Sequence, residues 1–456
     1  MPADGQLIGF HLKGHLTQNG LAADNLLHFS DGEIEQSHTW VQWMFPSPEP
    51  SQFNRTAPTL SWQEAIELAG DARFIERLEN SVAKYLGFLS RNNHWLQKQN
   101  HNHLRISRII LSLRILHSTE LAGWFFEQVR ELASAHLSNL SQPLSFWRSK
   151  LPSAAGRVAG AFIGLAVGDA LGAPVEFHPR GTFDPVTEFR SGGLFNLPAG
   201  AWTDDTAMAL SLAESLLEYP NLEQRDLLDR FCRWASEGYN SSTGKCVGIG
   251  QNTLRTLGQF HREGNLTAER HGSKADGNGA IMRLAPCACM HSRNPEEAAR
   301  VAVEQSRTTH ASPLSENACA YMARLLCALI EGKEWEAALH QTTSGEWFPE
   351  FQHIPALAWR TKKAAEIQSS GFVMDTIEAA LWSVDTTSSF EEAVLNAVNL
   401  GDDADTVGAV AGQIAGARYG LSAIPEKLKQ GIAETEKIYV LSQFLNWKGG
   451  GNGFRV

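Results

Sequence analysis

The sequence predicts an all-α protein, an orthogonal helical bundle over residues 151–456 with a separate, mostly helical domain over residues 1–150. Three observations carry this. Apolar residues recur at three- and four-residue spacing through most of the chain, and alternating strand-like runs are scarce. At 456 residues the chain exceeds the size at which one hydrophobic core usually keeps growing. The stretch Ser138–Ser153 holds two prolines and several serines, and beyond it the texture turns abruptly to Gly and Ala.

Residues 1–60 are rich in turn formers, His and Trp, with little clear periodicity. From Trp62 to Leu137 the pattern is helical, as in ARFIERLENSVAKYLGFL and LRISRIILSLRIL. Trp40, Trp43 and Phe45 read as core aromatics. Arg105 and Arg108 share one helix face, which reads as a solvated face with acidic-group binding as the alternative. In the second domain helical patterns recur at 154–172, 204–218, 223–236, 296–306, 313–331, 374–383, 389–400 and 405–420. Ser312-Pro313 is an N-cap followed by proline at the first helical position, and Ser389 with Glu392 has the capping-box spacing.

Gly156, Gly160, Gly164, Gly168 and Gly172 fall every fourth residue on one predicted helix, and Gly408, Gly412, Gly416 and Gly420 do so on another. Each interior glycine costs roughly 1 kcal/mol relative to Ala. Four-residue spacing keeps them near one face, which predicts two central helices packed backbone to backbone behind a site.

Composition is ordinary for a globular chain, with 43% hydrophobic and 20% charged residues. No run of ~18 uninterrupted apolar residues appears, so no membrane span is expected. No secretion signal is legible, and the six scattered cysteines read as free thiols of a reducing, cytoplasmic protein. The net charge of −11 argues against nonspecific nucleic-acid binding. Residues 1–150 hold 13 Lys+Arg against 14 Asp+Glu and the remainder 26 against 36, so the acidity sits in the second domain.

Two short clusters carry chemistry: Trp202-Thr203-Asp204-Asp205-Thr206 and Gly401-Asp402-Asp403-Ala404-Asp405-Thr406, each running directly into a helical pattern. Either one alone reads as helix capping. Together they hold more acids than two caps use, and closely placed carboxylates repel one another unless cations neutralise them. Hard oxygen ligands of this kind suit Mg²⁺ or Mn²⁺.

The segments GAFIGLAVGDALGAPVEF from Gly160, WTDDT, DGNGAIMR (276–283), TTHASP (308–313) and GDDADTVGAVAGQIAGA resemble, in order and spacing, the ADP-ribosylglycohydrolase family over about residues 154–445. The resemblance implies a mostly α-helical fold and a centre of two Mg²⁺ or Mn²⁺ ions. It implies Thr203, Asp204, Asp205, Asp403, Asp405 and Thr406 as metal ligands. Asp402 stands where many relatives have glycine and is assigned no ligand role. Glu176 matches a glutamate close to the metals and is the first choice for handling the proton, with Asp204 and Asp205 second. The loop Gly277-Asn278-Gly279 and His310 are implied contacts of ADP-ribose. The glycine-rich loop of Gly244 and Gly248 is implied as a diphosphate contact; it lacks a P-loop pattern.

Residues 25–135, on SHTWVQWMFPSPEPS from Ser37 and HNHLRISRIILSL from His101, resemble the shared region of opioid growth factor receptor-like proteins. That region is expected to recognise a protein partner or the modified target. The activity expected is metal-dependent hydrolysis of the glycosidic bond between ADP-ribose and a modified target, with arginine on protein as acceptor. Two alternatives stay open: hydrolysis of serine-, nucleobase- or small-molecule-linked ADP-ribose, and a binding or antitoxin-type protein that blocks an ADP-ribosyltransferase.

Overall fold

The computed structural model describes residues 5–51, 53–269, 276–343 and 345–450. Its contacts divide the chain into two compact units, Met1–Ala155 and Gly156–Val456. Both are built of helices. Among the described residues the only β pairings are two isolated bridges, Gly192 with Leu197 and Gly277 with Phe372.

In the first unit, four short helices (Gln6–Leu12, Ala23–Leu27, Asp31–Gln36, His38–Met44) precede the longer Ala72–Arg91, Asn102–Leu116 and Thr119–Leu132. The short ones span only five to seven residues, too few for a helical period to show. Ser30 and Ser37 cap the N-termini of Asp31–Gln36 and His38–Met44. Trp40, Trp43 and Phe45 are buried, and Trp40 stacks on Tyr85 while its indole N–H donates to the Leu26 carbonyl.

The expectation of a solvated face for Arg105 and Arg108 is corrected here. Arg105 is buried and donates to the carbonyls of Ile34, Glu35 and Ser37. Arg108 is half-buried and donates to those of Phe45, Glu49 and Gln42. Arg105 thus satisfies carbonyls at the end of Asp31–Gln36, and Arg108 those at the end of His38–Met44 and, at Glu49, in the loop beyond it. The helix bearing them has no polar face to show, because its polar groups serve the backbone of its neighbours.

In the second unit the two glycine-spaced segments are helices Ala154–Gly172 and Ala404–Tyr419, packed backbone to backbone. A Cβ on Gly164 would lie 2.3 Å from the Gly412 carbonyl oxygen, one on Gly168 2.0 Å from that of Gly408, and one on Gly416 1.9 Å from that of Gly160. No side chain fits there. The glycine cost of roughly 1 kcal/mol each is offset by dense backbone contact. Gly156 differs, since a Cβ there meets nothing within 4 Å. Accordingly, Gly412→Ala is expected to cost about 3 kcal/mol or more by overpacking, whereas Gly156→Ala is neutral or stabilising by up to about 1 kcal/mol. Thermal denaturation of the two variants checks this, and equal effects would refute the close-packed reading.

The stretch Ser141–Val175 is long and apolar enough by length and composition to cross a membrane, contrary to the reading of uninterrupted runs alone. Its most apolar window is 94% buried inside the protein, so its apolarity serves packing. Helices Asp204–Glu218, Gln224–Glu237, Pro295–Arg307, Pro313–Ile330, Val373–Asp385 and Phe390–Val398 follow the predicted pattern. Ser312 caps its helix as expected. Ser389 accepts from the Glu392 amide, but the Glu392 carboxylate returns to Ser388 rather than Ser389, so the box closes one residue early.

Two further long helices escape the periodicity reading. Gln251–Glu263 buries a stripe made partly of threonines, Thr253 and Thr256 beside Leu257 and Phe260. Thr435–Gly449 buries every residue from Ile438 to Asn446, which leaves no polar face to create a period.

Candidate active site

The site forms where the N-termini of Asp204–Glu218 and Ala404–Tyr419 meet the last turn of Ala154–Gly172. Fourteen consecutive residues of each of the first two helices, Asp204–Leu217 and Ala404–Ala417, are buried. Their starting residues are therefore fixed by the core. The capping alternative does not hold: neither Thr203 nor Asp403, the two N-cap residues, makes a side-chain cap hydrogen bond. The oxygens turn toward one another.

Two groups of carboxylates have ligand atoms within 4.8 Å of one another: Asp169, Asp205 and Asp405, and Glu176, Asp403 and Asp405. Asp405 belongs to both. Asp205 Oδ1 and Glu176 Oε2 are buried without a hydrogen-bond partner. An ionised carboxylate oxygen in that position is costly unless a cation takes the lone pair. The donor set, all hard oxygens, fits divalent metal ions.

Asp169 was not singled out from the sequence. It is the lone acid of a helix whose one other charged residue is Arg157, and that isolation was the available signal. Fully buried, its Oδ1 accepts from the amide (2.9 Å) and hydroxyl (2.9 Å) of Thr203, and its Oδ2 from the amide (3.0 Å) and hydroxyl (2.7 Å) of Thr206. The Thr203 hydroxyl also lies 3.2 Å from Asp205 Oδ2 and 3.2 Å from Asp405 Oδ2. It has one proton, and the shortest contact takes it to Asp169. Its lone pairs are then left facing the other two carboxylates, the orientation a metal ligand needs.

Burial is the largest cause of raised carboxyl pKa values throughout the cluster, and neighbouring negative charge adds to it at most of them. Burial, then the charges of Asp403 and Asp169, pushes Glu176 up to about 8. Burial pushes Asp169 up to about 6, against four stabilising hydrogen bonds. Asp204, Asp205 and Asp405 lie well above the usual carboxylate range, again from burial first and neighbouring carboxylates second. Asp403 is raised by burial, offset in part by hydrogen bonds from Asn278, Asp405 and Thr406. Thr406 is buried, and its amide donates to Asp405 Oδ1 (2.8 Å).

Glu176 reaches the cluster through a clasp between two loops. The Phe177 amide donates to the Asp402 carbonyl (2.6 Å), and the Asp402 amide to that of His178 (2.8 Å). Both Phe177 (φ 64°) and Asp402 (φ 54°) are in the left-handed region, which glycine adopts without steric cost and other residues rarely do. Strain of about 1–3 kcal/mol at each residue is held by the surrounding bonds.

The glycine loops divide. Gly248 passes close to the carboxylates, since a Cβ there would lie 2.5 Å from Asp204 Oδ1. Gly244 is a turn glycine whose carbonyl packs on Gly238. Gly277 and Gly279 lie under the His310 ring, with Cβ positions 3.2 Å and 2.6 Å from it. Asn278 is turned inward: its amide donates to the Gly371 carbonyl (3.2 Å), and its Nδ2 donates to Asp403 Oδ2 (2.6 Å) and Thr376 Oγ1 (2.9 Å).

His310 is buried, and burial, then Arg283, lowers its pKa to about 3, so the ring is neutral. The Thr309 hydroxyl accepts from buried Arg283 (2.8 Å) and lies 2.8 Å from His310 Nδ1. The Nε2 edge of the ring faces the glycine loop. Neither Arg283 nor Thr309 was marked as functional by the sequence.

The second unit thus holds a buried, multi-carboxylate centre at two helix N-termini. The ADP-ribosylglycohydrolase family model matches residues 151–450, and the chain belongs to that family. It is similar to the ADP-ribosylarginine hydrolase Tri1 of Serratia proteamaculans (strain 568), with 38% identity over 63% of this chain and 78% of that one. It is also similar to the ADP-ribosyl-[dinitrogen reductase] glycohydrolase of Rhodospirillum rubrum, with 34% identity over 60% and 89%. A solved structure described as an ADP-ribosylglycohydrolase-related protein complex aligns with a TM-score of 0.58 at 37% identity, covering 65% of this chain and 99% of that one. The chain is thus a glycosidic-bond hydrolase acting on ADP-ribosylated targets.

Proposed function

We propose that the acceptor is arginine on a modified protein and that hydrolysis depends on two divalent cations, Mg²⁺ or Mn²⁺. The observation that carries the metal reading is the pair of buried, unpartnered carboxylate oxygens, Glu176 Oε2 and Asp205 Oδ1, within one acidic cluster. The arginine reading rests on the similarity to ADP-ribosylarginine hydrolases.

In this reading Thr203, Asp204, Asp205, Asp403, Asp405 and Thr406 hold the ions, and Asp169 and Asn278 orient two of those ligands. When bound, the ions supply Lewis acidity and a positive seat for the ribose hydroxyls. Hydrolysis adds water across the bond between the anomeric carbon and the guanidino nitrogen, through an oxocarbenium-like transition state, and returns a proton to the leaving nitrogen. Glu176 handles that proton, with Asp204 and Asp205 as the second choice. His310 presents its Nε2 edge to ADP-ribose lying along Gly277–Gly279, while Gly248 leaves room beside Asp204. The first unit recognises the modified target or a protein partner.

Incubation with arginine-ADP-ribosylated protein is expected to release ADP-ribose, to stop in EDTA and to resume with Mg²⁺ or Mn²⁺. Glu176→Gln is expected to lower kcat by at least about 10². Release that persists in EDTA would refute the metal requirement, and turnover of serine- or nucleobase-linked substrates alone would refute the arginine acceptor. Deleting residues 1–150 is expected to slow turnover of the modified protein more than of free ADP-ribosyl-arginine. Equal effects on both would remove the recognition role.

A further inference from the structure

We propose that Phe177 and Phe372 form an aromatic edge that holds the guanidinium group of the acceptor arginine against the site. This rests on the arginine reading above and names the residues that give it specificity.

Phe177 immediately follows Glu176 and is 62% exposed, although the residue before it is buried in the carboxylate cluster. Its left-handed backbone is pinned by the bond to the Asp402 carbonyl, one residue before Asp403. Phe372 is 39% exposed and lies on another loop. Its neighbour Gly371 is so near that a Cβ there would lie 3.5 Å from Asp403 Oδ2, and Phe372 itself pairs with Gly277 of the ADP-ribose loop. Single exposed phenylalanines need no explanation. Two of them, each one residue from a group that abuts or enters the carboxylate cluster, and one held in a conformation that disfavours a side chain, are placed beside the site.

The chemistry of the leaving group matches. Arginine departs as a planar, delocalised cation, and phenyl faces attract such a cation. A further free carboxylate would attract it too, but would compete for the metal ions. Uncharged aromatic faces give selectivity for a guanidinium without that competition. A seryl oxygen is neutral and non-planar and gains nothing from them.

The test compares Phe177→Leu, Phe372→Leu and the double variant with Phe177→Tyr and wild type in the full chain. Leucine keeps the apolar bulk and removes the π face. The expected result is a loss of about tenfold in kcat/KM on ADP-ribosyl-arginine for each leucine variant, retention in the tyrosine variant, and affinity for free ADP-ribose within about twofold of wild type. Leucine variants as active as wild type would overturn the proposal. So would an equal loss of free ADP-ribose affinity, which would place the rings on the nucleotide instead. If the wild type itself fails on ADP-ribosyl-arginine while cleaving another linkage, the acceptor reading has failed, and this proposal falls with it whatever the variants do.

Discussion

Asp405→Asn is expected to lower kcat/KM by at least about 10³, close to 4 kcal/mol of transition-state stabilisation, the largest effect of any single carboxylate. Asp405 is the residue shared by both carboxylate groups, so its loss opens each of them. Its Oδ2 also lies 3.2 Å from the Thr203 hydroxyl, whose lone pairs it helps to face. The same substitution is expected to raise the thermal stability of the metal-free protein, because it removes a buried negative charge that its neighbours oppose. Lower activity with higher metal-free stability is the signature of a ligand. Loss of both would identify Asp405 as a structural residue. Turnover and calorimetric melts of the variant in EDTA and in excess Mn²⁺ give both readouts.

The second large effect is a pH dependence that appears when cations are removed. Glu176 rises from 4.5 to about 8 and Asp169 from 3.8 to about 6 in the fold, and Asp204, Asp205 and Asp405 are also raised. A folded-state pKa above the unfolded one means that the native state binds protons more tightly. The associated stability is fully present below the unfolded values near 4, and it is lost as pH rises through about 6 and about 8. Chelated protein is therefore expected to lose on the order of several kcal/mol between pH 5 and 8. Saturating Mg²⁺ or Mn²⁺ should abolish the loss, because bound cations favour the ionised form. Melting temperatures across that range, with and without chelator, measure it. A chelated protein equally stable at both ends would show that burial and neighbouring charge raise these carboxyls less than their packing implies.

Much of this molecule is set by local pattern. The four-residue glycine spacing announces close helix contact because every fourth residue shares a helix face wherever the helix is placed. Thr203-Asp204-Asp205 and Asp403-Ala404-Asp405-Thr406 bring their oxygens together along the chain, and Ser312-Pro313 marks a helix start by its own geometry. Other features depend on partners remote in sequence. Asp169 acquires its role only when Thr203 and Thr206 arrive from 34 and 37 residues away. Arg105 and Arg108 read as solvated until two short helix ends and the loop after the second, 59 to 71 residues distant, present carbonyls that need donors. Capping and coordination call for the same residue types at the same helix end, so the sequence left both open. The tertiary structure separates them, because burial against three other carboxylate-bearing segments turns the Thr203 and Asp403 side chains away from their own helices. The sequence by itself marked the two acidic clusters; only the fold added Asp169 and decided which oxygens face one another, since that depends on contacts across up to about two hundred residues that no local period encodes.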